Sequence, residues 1–483
     1  MDTKENSVSK NRWLILLTVV MVTFMATLDG SIVNVALPVM AKVLKVSTAN
    51  IQLVVTSYLI IIVATILVFG RLGDILGKTK VFKFGIVVFT LGSLLCGLTG
   101  SLPVLLMARV IQAIGAGGTM ANSQGIITEV FPVTERGRAL GLTGTAVALG
   151  ALVGPGLGGL IVAASSWENI FLINVPIGII TLFFAFKLLP KEEYIVKEKL
   201  DGAGAILFMF SVVPFFASLG AGQSLGFDSP IILLGFLVAA VSFTVFIIVE
   251  KKSKNPLLQL QIFENKLFSL SIICGFISFV AIFCTNIIQP FYLQDVMSFS
   301  PGYTGLILMV YPLILSVVAP ASGHLSDKIG SGVLTFIGLL LTSLGLLLMS
   351  TLNENSTIIN MVIFIAIMSI GNGLFQSPNN SLIMSTVSKD KLGIAGSVNA
   401  LVRNIGMVCG IALATTLLYN RMSSMLGYRV TDYVVGRNDA FIYGMRTVYI
   451  VAAAICLFGA GLTAYRLFHK DGEVEDVDMG ING

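Results

Sequence analysis

Fourteen predominantly apolar stretches, each about 20 residues long, follow one another between Trp13 and Leu467, and each is the length a helix needs to cross the hydrocarbon core of a bilayer. Among them are Trp13 to Ala36 (span 1), Ile51 to Gly70 (span 2), Val104 to Ile126 (span 4), Ala139 to Ala164 (span 5), Ile170 to Leu189 (span 6), Phe268 to Gln289 (span 9), Tyr303 to Ser322 (span 10), Ile358 to Pro378 (span 12) and Ile394 to Leu418 (span 13). A chain that is 55% hydrophobic and only 11% charged cannot hide that surface from water by folding as a soluble globule. Barrel strands would read as alternating segments of about 10 residues. The expected fold class is therefore an all-α membrane protein with 14 transmembrane helices.

Charge sets the expected orientation. Most of the 30 lysines and arginines lie in alternate links, on the same side as the two termini, which the positive-inside bias places in the cytoplasm. The segment from Tyr419 to Arg446 runs against this, with Arg421, Arg429, Arg437 and Arg446 on the expected outer side and only Asp432 and Asp439 to offset them. The first stretch lacks a small-residue cleavage site and reads as an uncleaved span. The inner links account for the net charge of +5 without any nucleic-acid partner.

The chain also repeats itself. Gly70-Arg71-Leu72-Gly73-Asp74-Ile75-Leu76-Gly77 returns, degraded, as Gly323-His324-Leu325-Ser326-Asp327-Lys328-Ile329-Gly330, 253 residues later. Asn34 and Pro38 return as Asn286 and Pro290 at an offset of 252, and Gly137, Gly150 and Gly154 as Gly393, Gly406 and Gly410 at 256. One nearly constant offset shared by separate features indicates two related halves, an arrangement common in membrane transporters. The expected organisation is an N-terminal six-helix bundle over 1–190, linkers with inserted spans 7 and 8 over 191–266, a C-terminal six-helix bundle over 267–468, and an acidic cytoplasmic tail over 469–483. Spans 7 and 8 have no counterpart, and their simplest role is to cover the crease between bundles.

Three features carry the candidate chemistry. Asp29 is the one acidic residue well inside a span, and an ionisable group in the membrane is costly enough to suggest function. Counting helical rise from the expected outer ends puts Asp29 and Arg109 at similar depths, about 10 and 8 Å. Pairing with Arg109 and burial act on the carboxyl in opposite senses, so it can exchange a proton as its access changes; the alternative is a static ion pair that fixes helix packing. Ala281 stands in the equivalent place of the second half, which confines proton chemistry to the first.

The second feature is the link from Gly70 to Lys80, where Gly70 and Gly77 permit a tight turn, Asp74 can cap a neighbouring helix and Lys78 holds the inner face. It is expected to latch an inner gate, with Asp327 as the weaker second copy; a merely topogenic link is the alternative. In span 5, Gly150, Gly154 and Gly158 share one helix face, Pro155 can bend the helix, and Gly159 extends the run of small residues. The expectation is a tight, kinked seam between the two bundles, against the alternative of ordinary small-residue packing.

These segments, with Leu28 to Pro38 in span 1 and Arg109, Gln112 and Gly115 in span 4, resemble the fourteen-span drug:proton antiporter branch of the major facilitator superfamily, the EmrB/QacA type, over essentially the whole chain. The resemblance implies a bacterial cytoplasmic-membrane exporter that works by alternating access. Proton influx would drive efflux of a small amphiphilic compound, with no cofactor and no enzymatic activity, from a monomer in the lipid bilayer. Export of an endogenous metabolite, lipid or siderophore is the alternative. Substrate contacts are expected from Gln52, Tyr58, Gln112, Asn286, Tyr311, Asn372 and Gln376, with Arg403 either snorkelling, binding backbone carbonyls or meeting an anionic substrate group. One departure is Trp167-Glu168-Asn169, where the family commonly has Trp-Arg-Trp; together with the lack of further membrane acids it argues against dicationic substrates.

Other classes find little support. The two histidines, His324 and His469, fall in a link and the tail, the five cysteines lie in apolar stretches without metal-ligand spacing, and no phosphate-binding G-x-x-x-x-G-K-[ST] loop is present.

Overall fold

The computed structural model describes residues 2–190, 200–253, 256–387 and 392–468, and among them the chain is helical with no strand. Fourteen helices are long and apolar enough to cross a membrane. Spans 1 to 7 are Asn11–Leu44, Thr48–Leu76, Lys78–Gly97, Leu102–Val130, Arg138–Ala164, Asn169–Leu188 and Gly202–Gly222. Spans 8 to 14 are Pro230–Lys252, Lys266–Val296, Pro301–Ser326, Ser331–Met349, Ile358–Ser385, Gly393–Leu426 and Asn438–Leu467. An even number of crossings brings both ends of the chain to one face of the membrane, hereafter the terminal end; the opposite face is the distal end. The acidic segment 469–483 and the linker segment 191–199 lie outside the described residues.

Lipid offers no hydrogen bonds, so each apolar run folds into the one local structure that satisfies its own backbone. Hydroxyls in the spans follow the same rule: Thr18, Thr23 and Thr27 each donate to the carbonyl four residues back. Where spans begin, side chains take the free N–H groups. Asp201 Oδ1 accepts from Gly204 N at 2.8 Å, and Asn265 Oδ1 accepts from Leu267 N and Phe268 N at 3.0 and 3.1 Å.

In the first half span 1 lies along spans 5 and 6, and span 4 along spans 2 and 3; in the second, span 9 lies along spans 13 and 14, and span 12 along spans 10 and 11. Close glycine contacts recur in both halves. A Cβ on Gly115 would sit 2.6 Å from Gly85 O, and one on Gly371 would sit 2.7 Å from Gly338 O. Spans 7 and 8 pair with each other, and span 7 also touches span 2 in one half and span 13 in the other. Span 8 buries only 17% of its most apolar window, so most of its surface is left to lipid.

Two helix ends differ from the sequence reading. Span 1 does not stop at Ala36 but runs through Pro38 to Leu44, because an internal proline forfeits one backbone bond without forcing a break. Asp29 is therefore 15 residues, about 22 Å, from the distal end of its helix rather than about 10 Å. Span 2 likewise continues through Gly70 and Asp74 to Leu76. The repeated motif is thus mostly helix, and the turn is made by its last glycine alone: Gly77 has φ 104° and Gly330 φ 87°, conformations that disfavour any side chain.

Candidate functional site

Asp29 and Arg109 meet at the centre of the first half. Their side chains are 0 and 1% exposed, and Arg109 Nη1 donates to Asp29 Oδ2 at 2.7 Å. Span 6 supplies Asn174, whose Nδ2 donates to Asp29 Oδ1 at 2.9 Å, and span 4 supplies Gln112, whose Nε2 donates to the same oxygen at 2.8 Å. Gln112 Oε1 in turn accepts from Arg109 Nη1 at 2.7 Å, while its Nε2 also reaches Ser93 Oγ of span 3 at 2.8 Å. Arg109 Nε donates to Val54 O of span 2 at 3.0 Å, and the guanidinium lies over the Tyr58 ring, 4.0 Å from its centroid, with Phe171 at 5.5 Å. Five spans thus converge on one charged pair. Such a closed network satisfies each charge where water is excluded, and any change in the protonation of Asp29 would be felt by every helix that holds it.

Two of the residues expected to touch substrate, Tyr58 and Gln112, belong to this cluster. Ser93 and Asn174, which are not among the expected site residues, join it; Asn174 carried a signal as an amide inside an apolar run. Tyr311, Asn372 and Ser278 form a second polar chain in the other half, with Tyr311 Oη donating to Asn372 Oδ1 at 3.0 Å and Asn372 Nδ2 to Ser278 Oγ at 2.9 Å. Gln52 is buried at the distal start of span 2, whereas Asn286 and Gln376 are partly exposed within spans 9 and 12. Arg403 in span 13 keeps its Nε buried without a hydrogen-bond partner among the described residues.

The span 5 glycines require a correction. Gly150, Gly154 and Gly158 face span 1 of their own half, against Phe24 O and Thr27, Ser31, and Ile32 respectively. The same packing recurs where Gly406 and Gly410 face Phe276 and Val280 of span 9. Contact with the other half comes from a different face of span 5, where Gly156 abuts Met309 and Gly159 abuts Pro301 and Gly302, while Gly305 abuts Pro155 O. Spacing by four residues identified a close-packed face but not its partner.

The motif around Asp74 also differs from expectation. Among the described residues Asp74 caps no helix N-terminus; its carboxylate lies 3.6 Å from Lys78 Nζ, and Lys78 also pairs with Glu129 of span 4. Gly73 gives span 4 room, since a Cβ there would strike Asn122. Asp327 stands in the last helical turn before Gly330, and its side chain lies outside those described.

At the distal end the halves are joined by polar contacts. Lys42 Nζ lies 2.7 Å from Asp295, Gln294 Nε2 donates to Val35 O at 2.9 Å, Thr48 Oγ1 donates to Asp432, and Ala49 N donates to Thr431 O at 3.2 Å. A π-turn over Tyr292–Val296 at the end of span 9 presents Gln294 and Asp295 to these partners. Two of the arginines that ran against the positive-inside bias are also engaged: Arg437 pairs with Asp439 at 2.9 Å, and Arg446 Nε donates to Ser350 O at 3.3 Å.

The sequence profile of the Major Facilitator Superfamily matches residues 19–411 and, again, 272–478. The chain is a member of this superfamily. It is 33% identical over 468 residues to the riboflavin transporter RibZ of Clostridioides difficile, covering 96% of this chain and 99% of that one. It is 30% identical to the multidrug resistance protein Stp of Mycobacterium tuberculosis, over 83 and 75% of the two chains. With the multidrug transporter MdtP of Bacillus subtilis the identity is 29%, over 89 and 80%. Among solved structures, a POT family transporter in complex with a thioalcohol-conjugated peptide superposes with a TM-score of 0.69 at 17% identity, over 93% of this chain and 96% of that one. That likeness concerns the fold alone.

Proposed function

We propose that this transporter is a secondary active exporter in which protons descending their gradient drive small amphiphilic molecules out of a bacterial cell by alternating access. The observation that carries the reading is the fully buried Asp29, held by Arg109, Gln112 and Asn174 from spans 4 and 6. Its equivalent in the other half is Ala281, so the halves are alike in packing but not in this charge. Relatives named as multidrug transporters support the substrate class. In this reading the terminal end faces the cytoplasm, the joined distal end is the closed outer gate, the protein acts as a monomer, and no cofactor takes part.

Transport of a native metabolite is the second reading, favoured by the near full-length similarity to a protein named a riboflavin transporter. Inside-out vesicles with an imposed pH gradient decide between them when a fluorescent amphiphilic dye and riboflavin are supplied in parallel in the external medium. Gradient-dependent movement of the dye supports drug export. Movement of riboflavin alone supports the metabolite reading, and movement of neither removes the proposal for both compounds.

The motif at the end of span 2 is assigned the inner gate. Asp74→Asn removes a carboxylate that, with Glu129, holds Lys78, so turnover should fall several-fold while substrate affinity stays unchanged. Half-exposed ion pairs contribute only about 0.2–1 kcal/mol, so little change in melting temperature is expected. Weakened binding at normal turnover would contradict a gating role.

A further inference from the structure

A cavity of about 200 Å³ opens at the terminal end of the second half, lined by Leu267, Ile329, Val333, Leu382 and Leu467 with Arg466 as its charged member. Arg466 is 8% exposed. Its Nη1 donates to Ser271 Oγ of span 9 at 3.1 Å, and its Nη2 to Thr335 Oγ1 of span 11 at 2.6 Å. Both partners are neutral, and among the described residues no carboxylate pairs with it. A buried guanidinium in the membrane is normally matched by a counter-charge. Here it is aimed by two hydroxyls and surrounded by aliphatic side chains. The neighbours in sequence of two lining residues, Lys266 and Lys328, are exposed and add positive charge at the rim.

We propose that this cavity binds the phosphate of an anionic phospholipid from the leaflet on the terminal side, with Arg466 on the phosphate oxygens and the glycerol and first acyl carbons against Val333, Leu382 and Leu467. Guanidinium geometry suits phosphate oxygens, and basic recesses between transmembrane helices are places where anionic headgroups are held. A bound headgroup would bridge spans 9, 11, 12 and 14, joining helices that Arg466 already ties in part. The site is separate from the Asp29 cluster, and its existence does not depend on what is transported or in which direction.

Two other sources of negative charge are available, free phosphate and the chain's own acidic tail beginning three residues beyond Arg466. The full-length protein in detergent is titrated with phosphatidylglycerol, phosphatidylethanolamine or inorganic phosphate, and bound lipid is counted by native mass spectrometry alongside melting temperature. Phosphatidylglycerol should bind and raise the melting temperature where the other two do not. Loss of a charge-assisted hydrogen bond predicts about tenfold weaker lipid binding by Arg466→Gln. Val333→Trp, which fills the cavity and leaves Arg466 in place, should weaken it equally and keeps the test decisive if Arg466→Gln does not fold. Equal lipid binding by wild type and Val333→Trp overturns the proposal, as does a phosphate effect as large as that of the lipid. A third variant neutralises the tail through Asp471→Asn, Glu473→Gln, Glu475→Gln, Asp476→Asn and Asp478→Asn. If lipid binds only to this variant, the tail is the natural counter-charge and the lipid site is refuted.

Discussion

Asp29→Asn is expected to lower pH-gradient-driven efflux to the level of protein-free liposomes. Three donors converge on the carboxylate, Arg109 Nη1 on one oxygen and Gln112 Nε2 with Asn174 Nδ2 on the other. An amide keeps one acceptor oxygen but turns an NH₂ group toward at least one of these donors, and it strips Arg109 of its counter-charge. Breaking a buried pair from one side costs about 3–5 kcal/mol, so the variant should also melt at a lower temperature. Lost stability alone would not identify a proton carrier. The double variant Asp29→Asn/Arg109→Gln separates the two roles, because removing both charges leaves a neutral cluster whose stability should recover toward that of wild type. Efflux should remain absent, since no carboxyl is left to take the proton. Melting in detergent and efflux from proteoliposomes, measured on the same preparations, provide the check. Recovery of gradient-driven efflux in the double variant would reduce Asp29 and Arg109 to a static link between spans 1 and 4.

That pair was legible in the sequence because two opposite charges inside apolar runs have few ways to exist other than together. The rest of its surroundings was not. Ser93 and Asn174 are neutral polar residues of a kind common in membrane helices, and only the packing of span 3 against span 4, and of span 6 against spans 1 and 3, brings them to the cluster. The number of spans followed from apolar length, whereas helix ends did not. Pro38 and the polar run from Gly70 to Asp74 look like boundaries to a reader of hydropathy. In the fold, Gly73 is buried against Asn122 and the far end of span 1 is held by Lys42 on Asp295. Protein contacts, not lipid, stabilise those extra turns. The repeat was legible in its motifs, and it reappears as the matched positive-φ glycines 77 and 330 and as the glycine contacts of spans 5 and 13 with spans 1 and 9. Which way each glycine face points was invisible, since a four-residue spacing is the same whether the neighbour lies in the same half or in the other.

This distinction moves the test of the seam from Gly154 to Gly159. A Cβ on Gly159 would strike the carbonyl oxygen of Pro301 and come within 3.1 Å of Gly302 Cα, both backbone atoms of span 10 that cannot rotate away. Gly159→Leu is therefore expected to push spans 5 and 10 apart, at an overpacking cost of about 1–3 kcal/mol, near the distal contacts of Lys42 with Asp295 and Gln294 with Val35. If those contacts close the outer gate, efflux should fall sharply and proteoliposomes should lose an imposed pH gradient faster than those holding wild type. Gly154→Leu is the control. Its added bulk meets Ser31 and Ile32 of span 1 within one half, so it should lower melting temperature by a comparable amount without opening a leak. The signature of the seam is thus a leak confined to Gly159→Leu. Equal leaks from both variants would point to general loosening of the first half, and an intact gradient with normal efflux in Gly159→Leu would show that the contact between spans 5 and 10 is not part of the gate.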